Sequence, residues 1–152
     1  MKKFLRFLAG VWFLIWELPQ NLVAMFIIYA LNGYKSRCRV EYKEGVSVFY
    51  VKRGTFNSGV CLGEFILAPL WVMGKFNLAD RSHECGHRIQ SRILGPLYFL
   101  VVGVPSALRN LRARHLKWPL YKKLKWYYSG WPEKQADKLG GVAGRSLNGV
   151  KI

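Results

Sequence analysis

The feature that most constrains this chain is an apolar segment at its amino terminus. From Phe4 to Leu31 the sequence runs for 28 residues with few polar interruptions. As one continuous helix this segment is about 42 Å long, enough to cross a bilayer of about 30 Å with some tilt. Its start is basic, as in signal peptides, but it is longer than a signal core and no small-x-small cleavage site follows it. We therefore predict that residues 1–33 are retained as a membrane-anchoring segment.

Two residues inside this segment argue against a plain membrane helix. Glu17 lies near its middle, where a carboxylate is costly unless it faces protein or water. Pro19 has no backbone N–H and breaks or kinks a helix. The sequence leaves two arrangements open, a single membrane helix or two half-length helices hinged at Pro19. We favour the second, as a re-entrant or interfacial pair with both flanks on the cytoplasmic side.

The charge and composition of the chain predict an anionic partner. Its 24 Lys and Arg residues against 8 Asp and Glu residues give a formal net charge of +16. Because 51% of the residues are hydrophobic and 15% are aromatic, an anionic lipid surface is a better partner than nucleic acid. From Arg109 to Lys125, cations alternate with Trp, Tyr and Leu, the mixture that the headgroup region of a membrane selects. We expect a membrane location, with these basic regions facing the cytoplasm.

Short β-type runs follow the apolar segment. Between Arg37 and Ala68 they read RCRVEY, VSVFYVK and SGVCLGEFILA. Alternating and β-branched residues separated by turn residues predict three strands of a small antiparallel sheet. The third run is a candidate edge strand for an extended peptide, and a plain sheet edge is the alternative.

Helical patterns occupy the rest of the chain. Apolar residues recur at spacings of three and four up to Leu94, where Gly95 and Pro96 stop the helix. Another helix is predicted from about Pro132 to Gly140. At 152 residues the chain is long enough for one real core. We predict an α+β fold, in which residues 34–152 form one catalytic domain.

A metal-binding motif lies on the first of these predicted helices. Residues 83–87 read His-Glu-Cys-Gly-His, an HExxH motif. Residues four apart share a helix face, so His83 and His87 can hold one metal ion, and this pattern is typical of zinc peptidases. Glu84, next to the first ligand, is placed to take a proton from water and pass it to a leaving amine. We therefore predict a Zn²⁺ cofactor with Glu84 as the catalytic residue.

A third ligand is predicted on the later helix. Glu133 and Asp137 are again four residues apart. Glu133 completes a His₂Glu set that leaves one coordination position open. Asp137, one turn further on, is placed to accept a hydrogen bond from the outer ring nitrogen of a ligand histidine, which we expect to be His83.

Together, HExxH and the later ExxxD resemble the gluzincin metallopeptidases, the family of thermolysin. The resemblance implies hydrolysis of a peptide or protein substrate by metal-activated water. More loosely, HECGHRIQSRILGPLY and WPEKQADKLGG, within residues 83–141, resemble small bacterial HExxH proteins. That second resemblance implies a location at a bacterial inner membrane.

The chain departs from the thermolysin pattern in two places. Pro132 stands where those proteins carry Asn, and their downstream transition-state histidine has no located counterpart. Four residues are candidates for its role, although each also has a structural or interfacial explanation. They are Tyr98, His115, Tyr127 and Tyr128.

The HExxH motif also occurs in proteins of other kinds. The metzincin pattern is excluded, since Gln90 and Ile93 occupy the positions of its Gly and third His. Site-2 proteases pair HExxH with a later Asp near Gly, which Asp137 and Gly140 resemble. The alternative of another class is a non-enzymatic cationic protein that binds a membrane surface or nucleic acid and carries a degenerate metal site.

Overall fold

The computed structural model describes residues 2–31, 38–43, 46–52, 59–73, 78–142, 146–147 and 150–151. The α-helices, in chain order, are α1 (Lys2–Trp16), α2 (Leu18–Met25), α3 (Leu78–Leu94), α4 (Val104–His115), α5 (Leu120–Ser129) and α6 (Glu133–Gly140). The strands are β1 (Cys38–Lys43), β2 (Val46–Val51), β3 (Val60–Leu62), β4 (Phe65–Pro69), β5 (Ser146–Leu147) and β6 (Val150–Lys151). The predicted α+β class is confirmed. The predicted domain boundary between residues 33 and 34 lies outside the described residues.

Wider or tighter helical turns extend three of these helices. A π-helical stretch, Phe26–Leu31, continues α2, and another, Phe99–Gly103, leads into α4. A 3₁₀ turn, Gly95–Leu97, follows α3 directly. The chain from Leu78 to His115 is therefore helical almost throughout, with a change of direction at Gly95, where φ is +53°.

The amino-terminal helices form a bent pair. α1 and α2 with its continuation meet at Glu17 at an angle of 84°. Pro19, in the first turn of α2, has no N–H to donate across the bend, and Asn21 Nδ2 donates to the carbonyl of Leu14 at 3.1 Å instead. Glu17 is fully buried in protein. Among the described helices none is both long and apolar enough to cross a membrane alone; only this bent pair, taken together, meets both criteria.

The main sheet is mixed, and this corrects the predicted antiparallel arrangement. The strand order is β1-β2-β4-β3, with β1 and β2 antiparallel as expected but β2 and β4 parallel. The cause is that residues 59–68 of the run SGVCLGEFILA form a hairpin, in which β3 and β4 pair around a turn at Gly63 and Glu64. Gly63 has a φ of +62°, and a Cβ there would lie 2.2 Å from Asn21 Oδ1, so both conformation and space require glycine.

The sheet is packed on both faces. One apolar cluster, extended by Cys85 of α3, consists of Val48, Tyr50, Cys61, Ile66 and Ala68. The cluster on the other face joins two residues of the amino-terminal pair to the sheet and consists of Ala24, Ile28, Val51, Leu62 and Leu67. The sheet therefore lies between α3 and the amino-terminal pair.

Polar contacts fix the orientation of α3 against these layers. Glu64, in the turn between β3 and β4, accepts hydrogen bonds from the guanidinium groups of Arg88 and Arg92. Trp16 Nε1 donates to the Arg92 carbonyl at 3.0 Å, and Gln20 donates to the Gly95 carbonyl. One side of α3 is thus tied to the hairpin turn and the amino-terminal pair.

Candidate metal centre

Two glycines let α3 and α6 touch backbone to backbone. A Cβ on Gly86 would lie 1.9 Å from the carbonyl oxygen of Ala136, and a Cβ on Gly140 would lie 1.8 Å from that of Ser82. Real Cβ atoms do not approach a backbone oxygen so closely, because carbon contacts are optimal at about 3.5–4.0 Å. Only glycine at positions 86 and 140 therefore allows the HExxH helix and the ExxxD helix to lie this close together.

This contact brings the three predicted ligands together. One donor atom from each of His83, His87 and Glu133 lies within 4.8 Å of the others, a group that can hold a metal ion. Glu133 Oε2 is 3.0 Å from His83 Nε2 and 3.4 Å from His87 Nε2. Ligand atoms that share a tetrahedral zinc ion lie about 3.3 Å apart. All three residues are buried.

The outer ring nitrogen of each histidine is held as well. His83 Nδ1 is 2.7 Å from Asp137 Oδ1, as the sequence predicted. His87 Nδ1 is 2.8 Å from Gln90 Oε1, while Gln90 Nε2 donates to the Pro132 carbonyl and to Gln135. With its amide oriented in this way, Gln90 accepts a hydrogen bond from the Nδ1–H of His87. The other ring nitrogen of His87, Nε2, is then unprotonated and can bind a metal.

The role of Gln90 is not predicted by the motifs, in which this residue serves only to exclude the metzincin pattern. The signal that identifies it is its position three residues after His87, on the neighbouring turn of the same helix.

The electrostatics of the ligand group suit a cation. Burial lowers the pKa of His83, but its hydrogen bonds to Asp137 and Glu133 outweigh this and raise the pKa to about 9. Burial raises the pKa of Glu133, but the two histidines outweigh this and hold that pKa well below its usual range. Glu133 is fully buried, and its carboxylate faces Ser106 and Tyr127 as well as the two histidines. A cation held by the ligand group would offset the cost of burying this charge.

Removing the carboxylate at position 137 should loosen the metal. We expect Asp137→Ala to weaken metal binding about 10–100-fold, because His83 loses the acceptor that fixes its tautomer. Asp137→Asn keeps an acceptor oxygen without the charge and should weaken binding less. Competition with a chromophoric chelator measures both affinities. If Asp137→Ala binds metal as tightly as the unmodified protein, Asp137 has no part in holding His83.

The ligand histidines line a cleft of about 540 Å³, within the range of small-molecule and peptide sites. Glu84 lines the same cleft and is only 5% exposed. The edge strand β3 forms part of one wall, and the helix that runs into α4 forms another. The predicted catalytic residue, the two ligand histidines and the edge strand β3 therefore line one cleft, while Glu133 is fully buried behind the histidines' ring nitrogens.

The candidates for transition-state stabilisation occupy different positions. Tyr127 and Tyr128 line the cleft, and the Tyr128 ring meets the His83 ring edge-on, with 5.3 Å between the ring centres. Tyr98 also lines it, but its hydroxyl donates to the Cys61 carbonyl at 3.3 Å and so supports β3. His115 is exposed at the end of α4, and the described residues that line the cleft do not include it. The geometry favours Tyr127 and Tyr128.

No protein-family model matches this chain, and neither a characterised protein nor a solved structure gives a significant match. The function is therefore inferred from the arrangement of the chain's own side chains.

Proposed function

We propose that this protein is a membrane-associated zinc metallopeptidase of the gluzincin type, in which residues 34–152 carry the chemistry and residues 1–33 anchor it. The observation that carries the proposal is that His83, His87 and Glu133 come together as one ligand group, and that the two histidines line the same cleft as Glu84. Two imidazoles and a carboxylate are the donor set of a catalytic zinc site, which keeps a fourth position for water or substrate.

The chemistry assigned to each residue follows from its position. A zinc ion held by the three ligands supplies Lewis acidity and lowers the pKa of bound water. Glu84 accepts the proton of the attacking water and returns it to the amine of the broken peptide bond. Asp137 and Gln90 hold the imidazoles so that each presents Nε2 to the ion.

The edge strand supports a peptide as the substrate. β3 is at one end of the strand order and lines the cleft that contains His83 and Glu84. An extended peptide that pairs with such an edge is held by main-chain hydrogen bonds and does not depend on one side-chain sequence. Pairing with β3 would hold its carbonyl carbons in the same cleft as Glu84.

The amino-terminal pair supports a membrane location. Large apolar side chains along it are more than half exposed, among them Phe4, Phe7, Trp12, Ile15 and Phe26. Monomeric soluble proteins rarely expose apolar patches of this extent. The bend at Glu17 and the burial of that carboxylate in protein support the re-entrant or interfacial arrangement over a straight span.

Metal content tests the enzymatic proposal directly. We expect the full-length protein, purified in detergent at neutral pH, to carry about one zinc ion per chain. His83→Ala should lose it, because a buried ligand is removed. His115→Ala is the matched control, since this histidine is exposed and away from the ligand group. Elemental analysis that finds no transition metal in the unmodified protein would favour the non-enzymatic cationic alternative.

A salt wash tests the membrane proposal. We expect the protein to stay with membranes at high salt, because burial of the apolar amino-terminal pair is not screened by ions, whereas attraction between the basic residues and lipid is. Sedimentation of washed membranes followed by immunoblotting measures the retained fraction. Release by salt alone would show that the basic surface provides all of the attachment.

A further inference from the structure

The helical run from Leu97 to His115 has one side that lines the cleft and a neighbouring side that is apolar and exposed. One side lines the cleft with Phe99, Gly103, Ser106, Ala107, Asn110 and Arg114. The neighbouring side is a stripe of exposed apolar side chains spaced three or four residues apart. This stripe consists of Leu97, Leu100, Val101, Val104, Leu108 and Leu111. Leu111 belongs to both sides, because it lines the cleft and is 53% exposed. The cleft therefore opens beside the apolar stripe.

The stripe adjoins the apolar surface of the amino-terminal pair. The Trp16 ring packs so closely on Gly95 that a Cβ there would lie 2.3 Å from it. Gln20, just past the bend, donates to the carbonyl of the same glycine. Leu97, the first residue of the stripe, is only two residues further on. The bent pair and the first residue of the stripe are therefore neighbours at Gly95, so the two exposed apolar surfaces begin beside each other.

Cations follow the stripe. Arg109, Arg112 and Arg114 lie in the last two turns of α4, and further lysines extend along α5. The exposed Arg112 lies over the Trp126 ring at 5.9 Å, and the exposed Lys122 lies over the Trp118 ring at 4.8 Å. Cations paired with aromatic rings beside an apolar surface match the profile of an anionic bilayer, from headgroups to acyl chains.

We propose that the mouth of the cleft faces the surface of an anionic bilayer, and that the substrate is a polypeptide already held in that bilayer, cut close to its membrane anchor. The inference rests on the proposed peptidase function and names its substrate class. The cleft walls fit such a substrate, because Val60, Leu62 and Phe99 present apolar surface to the segment next to an anchor.

Peptides tethered at two distances test the orientation of the cleft. One fluorogenic peptide mixture, rich in apolar residues, is prepared in three forms: soluble, joined to two acyl chains by a short spacer, and joined by a long spacer. The full-length protein is reconstituted in phosphatidylcholine vesicles that contain phosphatidylglycerol. A cleft that faces the bilayer cuts the short-spacer form at least as fast as the long-spacer form. A cleft that faces away needs the long spacer, because each extended residue adds only about 3.3 Å of reach.

A charge in the stripe should change the preference of the enzyme. Leu108 is 60% exposed and lies beside the cleft without lining it. We expect Leu108→Asp to lower the ratio of short-spacer to soluble cleavage about tenfold, since anionic headgroups repel the carboxylate and lipid excludes it. Val40→Asp is the matched control, because Val40 is 45% exposed on β1, at the sheet edge opposite to β3. It should leave the ratio unchanged.

The outcomes separate the two proposals. Zinc-dependent cleavage of the soluble and long-spacer forms without cleavage of the short-spacer form would overturn the orientation and leave the peptidase intact. Cleavage of no form by zinc-loaded protein would count against the peptidase. A second measurement then still decides the orientation, because it needs no activity. A photoreactive benzophenone side chain placed at position 108 should crosslink to lipid, and one at position 40 should not; the reverse result would overturn the proposal.

Discussion

Glutamine at position 84 should leave the metal bound and reduce peptide hydrolysis about 10²–10⁴-fold. The two side chains have nearly the same size, so the cleft beside His83 and His87 keeps its shape. An amide, however, cannot accept a proton from water and return it to the leaving amine. We expect kcat to fall with little change in KM, because the lost interaction belongs to the transition state. Zinc content and turnover should be measured on the same sample.

Glu133→Gln is the matched variant for this experiment. It makes the same chemical change at a residue assigned as a ligand, and it should lose metal and activity together. Undiminished turnover in zinc-loaded Glu84→Gln would remove Glu84 from its role. Loss of metal from Glu84→Gln would instead place this carboxylate among the ligands.

Alanine at position 86 should disrupt the metal centre without altering any ligand. The added Cβ would lie 1.9 Å from the Ala136 carbonyl oxygen, and a backbone oxygen inside a helix cannot rotate aside. α6 must therefore move away from α3, which carries Glu133 and Asp137 away from the histidines. We expect a loss of about 1–3 kcal/mol in the free energy of unfolding and a large loss of zinc affinity. Thermal unfolding and chelator competition measure the two effects.

Gly10→Ala is the control for this prediction. Gly10 is in α1, and a Cβ there meets nothing within 4 Å. The same substitution should therefore be neutral, or stabilise the helix by about 0.5–1 kcal/mol. Full zinc affinity in Gly86→Ala would show that the close contact between the helices is not needed to assemble the site.

The ligand group could be predicted from sequence because helices place residues four apart on one face. That rule joins His83 to His87 and Glu133 to Asp137, and the structure brings the two pairs together. The contact that makes this meeting possible was not predicted. Gly86 and Gly140 allow the contact because they have no Cβ. Patterns of apolar and polar residues do not identify such positions.

The sheet shows a second limit of sequence patterns. SGVCLGEFILA alternates well enough to predict one strand, and its interior Gly63 and Glu64 are the only sign of a two-residue turn. Strand order is set by contacts between distant residues, so a parallel β2–β4 pair could not be derived from local alternation. The bend of the amino-terminal pair was predicted at Pro19 and lies two residues earlier, at Glu17; it could be predicted because proline acts locally, through its own missing N–H.

The amino-terminal segment cannot be treated as a detachable tether. Ala24 and Ile28 are fully buried against Val51, Leu62 and Leu67, so this segment, proposed as an anchor, also contributes to the core. A shortened protein that begins at the first strand would lack these two side chains, and the sheet face that carries Val51, Leu62 and Leu67 would be exposed to solvent. Replacing the segment with an unrelated membrane helix would restore attachment but not that face. The part proposed to hold the membrane and the part that completes the fold are therefore the same stretch of chain.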